Sequence, residues 1–230
     1  GRKGNNMIFD IIRNGFSLEV LVSLMARVFV IFCVMPIHEF AHAFVAYKLG
    51  DDTARLSGRL TLNPLAHVDL VGALMIFLVG FGYAKPVPVN PRNFKNPKGG
   101  MAVTALAGPI SNLIMAFIFL LPYCAVGSLY DGNSELVFAI AAFFFYAASV
   151  NIGLAVFNLI PIPPLDGSRI LNLIIPSKYY FKIMKYERYI ILGVFALLFF
   201  GVLDAPLSAI TSAVTKLFIN LANLPFSLIK

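Results

Sequence analysis

The sequence predicts an all-α polytopic membrane protein in a single domain. It should have about five to six transmembrane helices, a re-entrant or interfacial segment, and irregular loops around one polar site. Three observations carry this. Hydrophobic residues make up 59% of the 230 and charged residues 13%, against roughly 25% charged in an ordinary soluble domain. A soluble chain of this size has too little interior to hide that much apolar surface. The apolar residues also gather into runs long enough, at about 1.5 Å per helical residue, to cross a hydrocarbon layer of about 30 Å. Finally, 22 Phe and no Trp suit a lipid-facing surface, and the low charge excludes disorder.

Residues 1–6 precede Met7 and read as a remnant ahead of the native start. The run 18–49 is too long for the apolar core of a secretory signal and reads as a spanning helix. It carries Glu19, Arg27, His38, Glu39 and His42, and Gly50 stops it. A polar stretch, 51–69, follows. The run 70–83 is 14 residues with three glycines, about 21 Å as a helix and too short to cross. Residues 85–100 form a loop with four prolines. The runs 101–123 and 134–160 are clear spans. Residues 161–188 read as an irregular basic loop, 189–203 as a short apolar run and 206–228 as a weaker one. The core is expected over about residues 18–170, with C-terminal helices over about 187–228. No internal repeat is visible.

The net charge of +7 is assigned to loops that orient the chain by the positive-inside bias. No basic run interleaved with aromatics points to nucleic acid. Cys33 and Cys124 make neither a disulfide framework nor a thiolate metal site.

The chain has three histidines, and two fall in His38-Glu39-Phe40-Ala41-His42, an H-E-x-x-H string. Residues four apart share a helix face, so both imidazoles can reach one metal ion, with Glu39 one step round and close enough to touch a metal-bound water without being a ligand. The alternative, two ordinary helix histidines beside an unrelated Glu, is disfavoured because ionisable groups in a membrane segment are costly and usually functional. Zinc needs a third ligand and an open position. His67, Asp69, Asp166 and the remaining acids are candidates, though His67 reads better as a loop or interfacial residue. Asp166 follows Asn158-Leu159-Ile160-Pro161-Ile162-Pro163-Pro164-Leu165, where prolines forbid a regular helix. Broken backbone at membrane depth is tolerated only in protein or beside a watery cavity. Gly167 is expected to let the chain turn beside the carboxylate.

With these pieces in order, the chain resembles the site-2 proteases, zinc metalloproteases that cut within membranes. The matching segments are His38 to His42, Ala107-Gly108-Pro109-Ile110-Ser111-Asn112, and Asn158 to Gly167, spread over about 130 residues of the chain. The resemblance implies that His38, His42 and Asp166 ligate one Zn²⁺ and that Glu39 is the catalytic acid/base. It also implies a structural or substrate-orienting role for Asn158, the amide alternatively satisfying a broken helix end. The substrate would be a transmembrane protein in the lipid bilayer, and the chain a minimal bacterial type without PDZ or CBS domains.

If the three ligands meet, the runs 18–49 and 134–160 must bring them to one depth, with an odd number of crossings between. The span 101–123 supplies one, so 70–83 should not cross. The loops then sharing the site's side carry Lys85, Arg92, Lys95, Lys98, Arg169, Lys178, Lys182, Lys185 and Arg188, which puts that side in the cytoplasm of a bacterial cell. Residues 58–63 or 87–93 could offer an extended edge to an unwound substrate. A membrane metal-ion transporter would use similar residues but predicts several clusters and repeat symmetry, and neither is visible. A non-catalytic membrane binding protein is the other rival, against which stands an intact Glu39. No nucleophile turn supports a serine hydrolase.

Overall fold

The structure, a computed structural model, describes residues 17–79 and 84–227. The expected remnant at 1–6 and the last four residues of the 70–83 run lie outside them.

Helix α1 spans Leu18–Lys48. The Ser17 hydroxyl caps it by accepting from the Val20 N–H, and Gly50 ends it. With φ at 103°, Gly50 takes the left-handed turn in which its N–H bonds the Tyr47 carbonyl and the Asp51 N–H bonds Ala46. A π-turn, Val30–Val34, interrupts α1 just before Pro36. Pro36 has no N–H, and its ring crowds the carbonyl one turn back. Widening the helix by one residue relieves this and sets the face on which His38, Glu39 and His42 are buried.

Helix α2, Leu70–Val79, has ten residues, about 15 Å, half the hydrocarbon layer. The two ends of its excursion meet, because the Lys85 N–H donates to the His67 carbonyl at 2.8 Å. The segment therefore starts and ends at one place in the fold, as a re-entrant segment would. Buried Arg27 of α1 donates to the Ile76 carbonyl at 3.4 Å.

Helix α3, Pro97–Leu129, starts before the expected residue 101. Asn96 accepts from the Gly99 N–H and Pro97 occupies the first turn. Helix α4, Glu135–Asn158, packs against α3 and α1. Phe29 of α1 stands edge-on to Phe119 of α3 and Phe143 of α4, with centroids 5.6 and 5.5 Å away. Buried Ala26, Ala105, Ala116, Ala147, Ala148 and Ala155 let the helices approach closely. The remaining helices are α5 (Asp166–Leu171), α6 (Ser177–Met184), α7 (Glu187–Phe199) and α8 (Asp204–Ser227). Helix α8 packs on α3 and α4.

Among the described residues, four helices are long and apolar enough to cross a membrane: α1, α3, α4 and α8. The all-α polytopic class stands, and four of the expected five to six crossings are long enough to span among the described residues. Among the described residues, the run from 70 holds a helix of 10 residues and the run 189–203 overlaps one of 13. The stretch 161–188 is not irregular throughout, since it contains α5 and α6. Outward-facing Ile110, Ile114 and Ile118 are exposed and form an apolar stripe along one face of α3, as lipid contact demands.

Candidate metal centre

Three elements meet at the C-terminal half of α1. Helix α3 starts beside it and leads away, α4 returns to it, and the 159–165 break hands the chain to α5. His38 and His42 sit one turn apart on α1, and Asp166 opens α5. His42 Nε2 lies 3.1 Å from His38 Nε2. Asp166 Oδ2 lies 3.5 Å from His38 Nε2 and 3.3 Å from His42 Nε2. These three form the group of ligand atoms able to hold one metal ion among the described residues.

The donor set fits zinc. Ligand atoms about 2.0–2.1 Å from a tetrahedral zinc lie about 3.3–3.4 Å from one another, close to the observed separations. His42 Nδ1 donates to the Thr104 carbonyl at 2.7 Å, because that carbonyl can only accept. The Nε2 lone pair therefore faces inward. A single proton among the three inward atoms would satisfy one pair of them, whereas a cation satisfies all three.

Helix α3 approaches these rings through Gly108. A Cβ there would come within 2.5 and 2.6 Å of His38 Cε1 and Nε2, and closer still to His42 Nε2. Only glycine leaves that space. Gly167 serves similarly, since its Cβ would strike the Leu159 and Ile160 backbone carbonyls. Its φ is not positive, so the expectation of a turn at Gly167 is corrected. What the position requires is close backbone approach.

The ligand atoms open on a cavity of about 460 Å³. Glu39 lines it and is 7% exposed. Asn158, the last residue of α4, lines it too. Residues 84–90 have no helix or strand, and Ala84, Pro86, Val87 and Val89 stand in the cavity wall. This segment overlaps the expected edge at 87–93, which ends in the 3-10 turn Pro91–Asn93. Residues 58–63 do not line the cavity. His67 is fully buried in the turn Pro64–His67, with Nε2 2.7 Å from the Thr61 carbonyl, apart from the metal group. Cys33 and Cys124 are both free.

Thr104, Gly108 and Asn112 were not legible as site residues. Gly108 and Asn112 lie inside a recognised segment, but nothing in its spacing says which side chains face α1.

A second polar cluster fixes the frame. Asp51, fully buried just beyond α1, accepts from the Thr53 N–H at 3.1 Å and the Thr53 hydroxyl at 2.5 Å. It also accepts from the Asn90 N–H and from Asn93 Nδ2, both at 2.7 Å. It thus ties the cavity-lining segment to the end of the histidine helix.

The model of peptidase family M50 matches residues 124–201. A Bacillus subtilis protein, YwhC, provisionally named a zinc metalloprotease, is 45% identical over 158 residues, covering 66% of this chain and 70% of that protein. Rip2 of Mycobacterium tuberculosis, named with the same reservation, is 34% identical over 152 residues, or 64% of this chain and 55% of that protein. The chain thus spans only about half of the latter. No solved structure matches the chain.

Proposed function

The chain belongs to peptidase family M50, and from that premise we propose that it hydrolyses peptide bonds within or beside transmembrane segments of other membrane proteins, in regulated intramembrane proteolysis. The observation that carries this reading is the convergence of His38 Nε2, His42 Nε2 and Asp166 Oδ2 at one end of a cavity walled mainly by apolar residues, with Glu39 beside them. His38, His42 and Asp166 would hold the zinc. When bound, zinc polarises a carbonyl and acidifies water in its open position.

Glu39 takes the water proton and passes it to the leaving amine. Its burial at the cavity wall limits competing solvation and keeps the carboxylate close to the reacting groups. The Thr104 carbonyl holds the His42 ring in the tautomer that turns Nε2 to the metal. Asn158 orients the substrate backbone. A helix masks its own carbonyls, so the substrate must unwind, and the non-helical 84–90 wall offers its backbone a partner. A cavity with so much apolar wall suits an apolar substrate segment.

The protein is proposed to lie in the cytoplasmic membrane of a bacterial cell with this site towards the cytoplasm, because the loops flanking the site are basic. In a background without Cys33 and Cys124, single cysteines at Ser57 and Lys95 should both react with an impermeant thiol reagent from the cytoplasmic side. Labelling from opposite sides overturns the re-entrant topology.

Activity is tested by metal analysis of purified protein beside cleavage of a transmembrane reporter in vesicles. One zinc per chain with cleavage that stops on chelation is expected. Zinc without cleavage of any transmembrane reporter would overturn the substrate class.

A further inference from the structure

Asn112 lies on α3 one turn beyond Gly108. It is 1% exposed, and neither its side-chain oxygen nor its nitrogen has a hydrogen-bond partner. It nevertheless lines the same cavity as Glu39 and Asp166. Buried amides are almost always satisfied, and one left unpaired at both ends is destabilising. The cavity wall also includes Met35 and Leu154, whose side chains offer no strong partner. An apolar side chain at this position would need no partner, so the carboxamide answers to something that enters the cavity.

We propose that Asn112 is a substrate-positioning residue, whose carboxamide pairs with the backbone of the unwound substrate on the bilayer side of the scissile bond. This rests on the proteolytic reading above. The side follows from the chain path. Helix α3 enters from the loop at residue 97, contacts His42 through Thr104, passes the metal group at Gly108 and reaches Asn112 about 6 Å further in. The chemistry follows from the group. An amide presents one acceptor and two donors, the complement of a peptide unit that has lost its helical hydrogen bonds. Such a group recognises backbone and not side chains. It is therefore independent of substrate sequence, and it matters most where the surroundings hold no water.

The test compares Asn112→Leu and Asn112→Ala with the parent protein. Both variants should keep one zinc per chain. The leucine variant should melt at the same temperature as the parent or higher, because an unpaired buried amide has been replaced by an apolar group of similar size. Its KM for a transmembrane reporter should rise at least 10-fold, with kcat changed less. Binding is read separately in a Glu39→Gln background, where the reporter is not consumed. There Asn112→Leu should raise the reporter's Kd at least 10-fold. Unchanged KM and Kd would mean that the amide serves water alone and would overturn the proposal. So would a loss of zinc or of melting temperature in step with the loss of binding, which marks a structural residue. If the parent cleaves no reporter, the proteolytic reading fails by itself, and the Kd comparison still decides the role of Asn112.

Discussion

Asp51 and Asp166 are both carboxylates withdrawn from water, and their surroundings differ in kind. Asp51 is ringed by neutral donors. Two backbone N–H groups, a hydroxyl and an amide satisfy it. Asp166 has no such ring. Its Oδ2 faces two imidazole nitrogens at 3.3 and 3.5 Å, and those nitrogens face each other. The first arrangement is complete without a ligand and fastens loop to helix. The second is complete only with a cation at its centre. Burial of an acid is thus no mark of function by itself, and what distinguishes the two is whether the protein supplies the donors.

That contrast is open to four measurements. The largest effect should come from Asp166→Ala, which should drop zinc from one per chain to nearly none with helical content unchanged. Metal analysis decides it, and full zinc retention would falsify the ligand assignment. Next, Glu39→Gln should keep zinc and lower cleavage by about 10²–10⁴-fold, the range for a general acid–base group. Turnover near that of the parent would put the proton transfer elsewhere. Third, Gly108→Ala should weaken zinc about 10–100-fold in competition with a chelator, the scale of disturbed support around metal ligands. Equal affinity would show that α3 can yield at that point.

The smallest effect belongs to Asp51→Asn, which sharpens the contrast because zinc should stay. Here burial pushes the carboxyl up, but the hydrogen bonds from Thr53, Asn90 and Asn93 outweigh it, leaving it below the ordinary carboxylate range. A depressed folded pKa stabilises the fold above the unfolded value of about 3.9 and loses that contribution as pH falls through the folded one. The asparagine variant should therefore melt lower at pH 7, by an amount equivalent to about 1–3 kcal/mol. The gap between the two proteins should narrow below about pH 4. A gap constant with pH would mean that the charge on Asp51 contributes nothing.

Much of this molecule follows from local pattern. Four-residue spacing puts His38 and His42 on one face whatever the rest of the chain does, because helix geometry is set by backbone hydrogen bonds within a few residues. Run length separates spanning helices from the ten-residue α2, and the prolines at 161, 163 and 164 break the backbone before Asp166. What local pattern leaves open is which groups meet across the fold. The Thr104 carbonyl behind His42, the space kept by Gly108, the His67–Lys85 closure and the Arg27 contact to α2 all join segments far apart in sequence, and the unpaired amide of Asn112 shows only once the cavity is assembled. Periodicity fixes a side chain's face on its own helix. Only packing decides what that face meets, and through it Asp166 stands against the histidines while Asp51 ties the frame.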